Sequence, residues 1–139
     1  MPTSKKTTRG RRKKTTTELT EAEWEIIKVV WKEEPCAAGT VQEALVQRKD
    51  WAYGTVKSTM DRMVERGFLK ITRIRNLQLF HSCITQVEAK RGELRKMLAR
   101  AFDGALTPMV QFLIEHEGLS QKEASGLRKL VSRIEKNKE

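Results

Sequence analysis

Trp51-Ala52-Tyr53-Gly54-Thr55-Val56-Lys57-Ser58-Thr59-Met60-Asp61-Arg62-Met63-Val64-Glu65-Arg66-Gly67 is the stretch on which the fold turns. Val56, Met60, Met63 and Val64 recur at i, i+4, i+7 and i+8, the apolar stripe of a helix running from about Gly54 to Arg66. Gly67 stands where a left-handed residue commonly ends a helix. With that stripe turned inward, Thr55, Lys57, Ser58, Asp61 and Arg62 fall on the outer face.

Downstream, the period changes. Phe68–Ile74 and Leu77–Ile84 read as two short strands joined by a turn at Arg75-Asn76. Upstream, Thr20-Glu21-Ala22-Glu23 is a capping box that opens a first helix. Trp24, Ile27 and Trp31 give its spacing, and Pro35 closes it. Thr40-Val41-Gln42-Glu43 has the form of a second capping box, ahead of a short helix to about Arg48. Three short helices followed by a basic hairpin is the element order of a winged helix-turn-helix. A helix fits the major groove of DNA, and residues near its N-terminus meet base edges. Thr55 and Ser58 carry short hydroxyl side chains suited to bases or phosphates, and Lys57 and Arg62 are placed for backbone charge. Arg73 and Arg75, near the hairpin tip, suit phosphates or a minor groove. The plainer readings stay open: Thr55 and Ser58 as helix caps, Lys57 and Arg62 as a solvated face, and Asp61 or Glu65 as their ion-pair partners.

Charge distribution sharpens this reading. The 139 residues carry a net charge of +10, which suggests a polyanionic partner. Seven of those charges lie in residues 1–17, at Lys5, Lys6, Arg9, Arg11, Arg12, Lys13 and Lys14. Having no aliphatic residue after Met1, that tail cannot offset its ordering entropy and is expected to be disordered. Arg9-Gly10-Arg11 resembles the centre of a minor-groove hook, so Arg9, Arg11 and Arg12 are candidate DNA contacts. In the remainder, residues 18–34 sum to −4 and residues 49–75 to +4. The positive charge thus gathers on the third helix and hairpin. Cys36 and Cys83 form no zinc spacing and no CxxC, and read as ordinary thiols of a reducing compartment. No nucleophile–base pair, metal spacing or phosphate loop is evident, so the expectation is a non-enzyme without cofactor, metal site or catalytic residue. Nothing in the sequence is long and apolar enough to span a membrane.

Three further helical segments follow. Leu94, Leu98, Ala101 and Phe102 give the first, to Asp103. Thr107-Pro108 reads as an N-cap with proline at the first helical position, opening a segment to His116 that is apolar almost all round. Ser120-Gln121-Lys122-Glu123 is a further capping box, followed by a stripe of Ala124, Leu127, Leu130, Val131 and Ile134. About 50 residues bury such a surface poorly alone. The region is therefore expected to dimerise through Leu98, Phe102, Val110, Leu113, Leu127, Val131 and Ile134. Packing back onto the winged helix is the alternative.

Leu19–Trp31 resembles the opening helix of the BlaI/MecI/CopY family of penicillinase repressors, and Trp51–Gly67 resembles its recognition helix. The likeness runs over about residues 19–136. It implies a cytoplasmic bacterial repressor that binds inverted-repeat operators as a homodimer, often with TACA/TGTA half-sites. The recognition-helix set is Tyr53, Gly54, Thr55, Lys57, Ser58 and Arg62; by that resemblance Thr55 and Ser58 fall where the family has hydroxyl residues reading DNA, and Gly54 where relatives often have Lys or Thr. The Cys-x-Cys motifs of the copper-responsive branch are absent. Phe112-Leu113 falls where the penicillinase branch has a cleavable Asn-Phe bond, so the resemblance does not identify an inactivating protease.

The expectation is thus a mainly α chain with a small β-hairpin wing: a winged helix-turn-helix followed by a three-helix dimerisation domain. Its parts are a basic tail (1–17), the DNA-binding domain (18–85) and the helical domain (86–139). The expected function is a dimeric, sequence-specific transcriptional repressor on double-stranded operator DNA. The alternative is a non-specific nucleoid-associated protein driven by the tail.

Overall fold

The computed structural model describes residues 18–138; the basic tail, with Arg9, Arg11 and Arg12, lies outside them. In order come α1 (Glu21–Glu33), α2 (Ala38–Lys49), α3 (Tyr53–Arg66), β1 (Leu69–Ile74), β2 (Leu77–Ser82), α4 (Gln86–Phe102), α5 (Leu106–Phe112) and α6 (Gln121–Lys138). A π-helical turn, Leu113–Glu117, extends α5. The chain forms two compact units that divide in sequence at Leu94–Arg95, inside α4.

In the first unit, Ile26, Ile27 and Val30 of α1, Val41 and Leu45 of α2, and Val56, Met60 and Met63 of α3 are fully buried together with Phe80 of β2. Burying each such side chain is worth about 1.5–3 kcal/mol. Trp24 and Trp31 pack against this core edge to face, with centroids 6.0 Å apart. Their indole N–H groups donate to the Glu93 carboxylate and the Ile84 carbonyl, at 3.3 and 2.9 Å. Ala89 of α4 is buried with them.

The α1 capping box forms as expected: Glu23 N–H donates to Thr20 Oγ1 at 3.2 Å, and Thr20 N–H donates to Glu23 Oε1 at 2.9 Å. Helix α1 stops at Glu33, because the residue before Pro35 is pushed off helical geometry. The second expected box does not form. Helix α2 starts two residues before Thr40, with Ala37 at the N-cap and no side-chain cap. Burial of Ala38 pulls the chain into the helix early, and Thr40 becomes a first-turn residue.

Strands β1 and β2 pair antiparallel from Leu69↔Ser82 to Ile74↔Leu77, which leaves Arg75-Asn76 as the turn. Cys36 adds a bridge to Phe80, with N–H···O bonds of 3.2 and 2.7 Å, so a third extended segment lies beside the hairpin. A one-residue bridge has no periodicity, and so leaves no sequence signal.

The second unit begins within α4. Thr85 and Glu88 form a capping box at the start of α4, a T-x-x-E pattern that was readable in the sequence. Thr107 is not an N-cap: α5 begins at Leu106 with Ala105 before it, and Pro108 sits in the first turn, where its missing N–H has no helical partner to lose. Ser120 and Glu123 cap α6 reciprocally, at 3.1 Å each way.

Candidate nucleic-acid interface

Helix α3 is held from three sides. Its apolar stripe sits in the core. At its C-terminus Gly67 takes φ 93°, and its N–H closes the last turn. At its N-terminus the short link Asp50-Trp51-Ala52 turns on Asp50, at φ 51°, and Gln42 Nε2 donates to the Trp51 carbonyl at 3.2 Å. That bond ties α2 to the link and fixes the angle at which α3 leaves it. Arg66, the last residue of α3, donates to both oxygens of buried Glu23 at 2.7 and 2.6 Å, and to the Glu18 carbonyl at 2.8 Å. Its guanidinium also lies 4.8 Å from the Phe68 ring centroid.

The outer face of α3 starts with free backbone donors. Ala52 is the N-cap and no side chain caps the helix, so the first-turn N–H groups point outward at the positive end of the dipole. Tyr53, Gly54, Thr55 and Ser58 are exposed in the first two turns, Arg62 is exposed nearer the C-terminal end of the helix, and Lys57 is half-buried. The Thr55 side chain forms no hydrogen bond among the described residues, so it is not a cap. Ser58 Oγ donates to the Thr55 carbonyl at 3.2 Å, leaving its lone pairs to accept. Buried Thr59 donates to the same carbonyl at 2.8 Å, and Arg62 reaches Thr59 Oγ1 at 3.4 Å.

Ion pairing redistributes the expected charge. Lys57 Nζ bonds both oxygens of Asp61, at 3.0 and 2.9 Å. This pairing and the Arg66–Glu23 clamp remove two of the seven bases in residues 49–75 from the free positive surface. Arg62, Lys70, Arg73 and Arg75 form no ion pair among the described residues. Arg75 sits at the hairpin turn with φ 59°. Thr72 and His81 pair across the strands at 2.9 Å.

In the second unit, none of residues 95–137 is buried. Leu98, Phe102 and Val110 are half-buried, whereas Leu113, Leu127, Val131 and Ile134 are exposed. The apolar segment before His116 is thus open within one chain. Phe112 meets Phe102 edge to face and His116 at a tilt, at 5.9 and 4.5 Å between centroids. The opposite face of α6 carries Ser125, Arg128, Lys129, Ser132, Arg133 and Lys136, a second basic surface. It is the solvated side of an amphipathic helix.

Among the described residues, no group of three His, Cys, Asp or Glu is placed to hold a metal ion, and no helix is long and apolar enough to cross a membrane. Cys36 is buried; burial first, and then Glu33 and Glu34, push its thiol pKa up, away from the reactive thiolate. Cys83 is exposed, and neither cysteine is in a disulfide.

The chain is similar to several known proteins. The chain is 24% identical over 118 residues to the methicillin resistance regulatory protein MecI of Staphylococcus aureus strain N315, covering 85% of this chain and 96% of that protein. It is 23% identical over 114 residues to the penicillinase repressor of Bacillus licheniformis, covering 82% and 89%. The solution structure of the DNA-binding domain of the repressor BlaI matches with a TM-score of 0.46 at 21% identity, covering 50% of this chain and 85% of that one. The monomeric form of Bacillus licheniformis BlaI, in complex with the blaP half-operator, matches with a TM-score of 0.45 at 21% identity and the same coverage. The model of the penicillinase repressor family matches residues 19–133, most of the chain, and the chain belongs to that family.

Proposed function

We propose that the chain is a DNA-binding transcriptional repressor that acts as a homodimer on an inverted-repeat operator. The observation that carries the DNA reading is the exposed start of α3, an uncapped helix N-terminus flanked by Thr55 and Ser58, with Arg62 exposed further along the helix and a hairpin free of carboxylates after it. Free N–H groups and a helix dipole favour phosphate, and short hydroxyl side chains one turn further along reach base edges. Tyr53, Gly54 and Lys57 complete the proposed helix contact; Arg73 and Arg75 form that of the wing. The tail residues Arg9, Arg11 and Arg12 add phosphate contacts without reading sequence.

The dimer reading rests on the second unit. A segment rich in Leu, Val, Ile and Phe with no buried residue has not found its core within one chain. A second copy supplies it, through Leu98, Phe102, Val110, Leu113, Leu127, Val131 and Ile134. Two such chains present two recognition helices, which suits half-sites about one helical turn apart.

The test is selection of bound sites from random duplex DNA by the purified full-length protein. Recovery of an inverted repeat supports the reading. Equal retention of all sequences overturns it in favour of non-specific binding through the tail.

A further inference from the structure

The wing tip carries two large aliphatic side chains that the fold does not use. Ile74 and Leu77 are directly opposite each other at the end of the hairpin, and they are 59% and 51% exposed. Both lie on the strand face that also holds Lys70, Thr72, Leu79 and His81, turned away from the core face of Leu69, Ile71 and Phe80. Single exposed aliphatics are ordinary, but a cross-strand pair beside a turn is a small apolar edge held out into solvent. Between them is Arg75, at φ 59°, a conformation in which glycine or asparagine sits more easily than arginine. The turn chemistry alone does not account for an arginine there.

The surroundings select the occupant. From Leu69 to Ser82 the hairpin carries Lys70, Arg73 and Arg75 and no carboxylate, so the apolar pair is set in a positive field. A protein partner with an apolar patch would meet three unpaired cations. A nucleic-acid duplex would meet them favourably, and the floor and walls of its minor groove offer sugars and base edges to aliphatic groups.

We infer that Ile74 and Leu77 form an apolar wedge that enters the DNA minor groove with Arg75, so that the wing reads groove width and A·T content beside the bases met by α3. This rests on the DNA-binding reading above. Narrow A·T-rich grooves concentrate negative potential and draw arginine in. The guanine N2 amino group, which protrudes into the groove of G·C pairs, obstructs both the guanidinium and the wedge.

The experiment uses the full-length protein and a duplex carrying its selected site. The base pairs flanking that site are made A·T, G·C or inosine·C. Inosine lacks the N2 amino group, so I·C resembles A·T in the minor groove and G·C in the major groove. The wild type is expected to bind A·T and I·C flanks about tenfold more tightly than G·C flanks. In I74T/L77T, where β-branched replacements keep strand preference, that difference shrinks to within about twofold. Circular dichroism and light scattering accompany each variant. If I·C flanks behave like G·C flanks, or if folded I74T/L77T keeps the full difference, the wedge is overturned. A change in oligomeric mass of the folded variant overturns it in favour of a contact between chains. Failure of the wild type to prefer any site sinks the DNA-reading proposal itself, a different result from specific binding with indifferent flanks.

Discussion

Arg66 and Glu23, 43 residues apart, are joined by two hydrogen bonds of 2.7 and 2.6 Å. The same Glu23 carboxylate accepts from Thr20 N–H, so one buried side chain both caps α1 and holds the end of α3. Arg66→Met leaves that carboxylate buried without its cation. The expected loss is on the order of 2–3 kcal/mol, below the range for fully buried pairs because the Arg66 side chain is one-third exposed. Urea denaturation followed by tryptophan fluorescence measures it; a loss below about half a kcal/mol would show the clamp to be marginal.

The proposed readers on α3 separate from the phosphate contacts by what their removal changes. Thr55→Ala or Ser58→Ala is expected to relax base preference at one position by roughly 1–3 kcal/mol. A repeat of the site selection with each variant gives the answer. An unchanged preference profile removes that residue from the readers.

Salt dependence tests the unpaired bases. Arg73→Ala and Arg75→Ala are each expected to lower the slope of log K against log salt by about 0.9 if a phosphate contact is lost. Lys57→Ala should change it less, because the Lys57 ammonium is already paired with Asp61. Titration of binding between low and moderate salt compares the three. Equal effects would mean that the Lys57–Asp61 pair opens on DNA.

Leu113→Asp or Leu127→Asp puts a charge into the proposed shared core and is expected to yield monomers, because an unpaired buried charge costs several kcal/mol. Light scattering reads the mass directly. A variant that stays dimeric moves the interface to other residues.

The two thiols should differ. Cys83 is expected to react with a thiol reagent in the native protein, and Cys36 only after unfolding. Because the folded pKa of Cys36 is raised, the folded state holds its proton more firmly than the unfolded chain does. Its contribution to stability is complete below the ordinary thiol pKa of roughly 8.5 and declines as pH rises beyond it. Denaturation midpoints of wild type and Cys36→Ala across that range check the sign: only the wild type should show this loss.

The first unit was largely legible because its signals are local. The stripe of Val56, Met60 and Met63, the Gly67 stop and the Thr20–Glu23 box each act within two turns of helix. Two caps were misplaced for a physical reason. Thr40 and Thr107 have the right chemistry, but helix starts are also set by burial and by the preceding chain, and Ala37 and Ala105 take the cap positions instead. The Cys36–Phe80 bridge and the Arg66–Glu23 clamp join distant residues and leave no periodic trace. Summed charge also misled in one respect: Lys57 and Arg66 count as positive in sequence, yet in the structure each has its acid.

A second unit in which no residue of 95–137 is buried has a consequence for abundance. A core completed by another copy is governed by mass action, so each tenfold dilution of the chain takes about 1.4 kcal/mol from it. Under the proposed dimer, scarcity alone loosens the pair that grips both half-sites. The number of chains in the cell then acts as a control variable, and repression would fade more steeply than protein level as copies are diluted by growth.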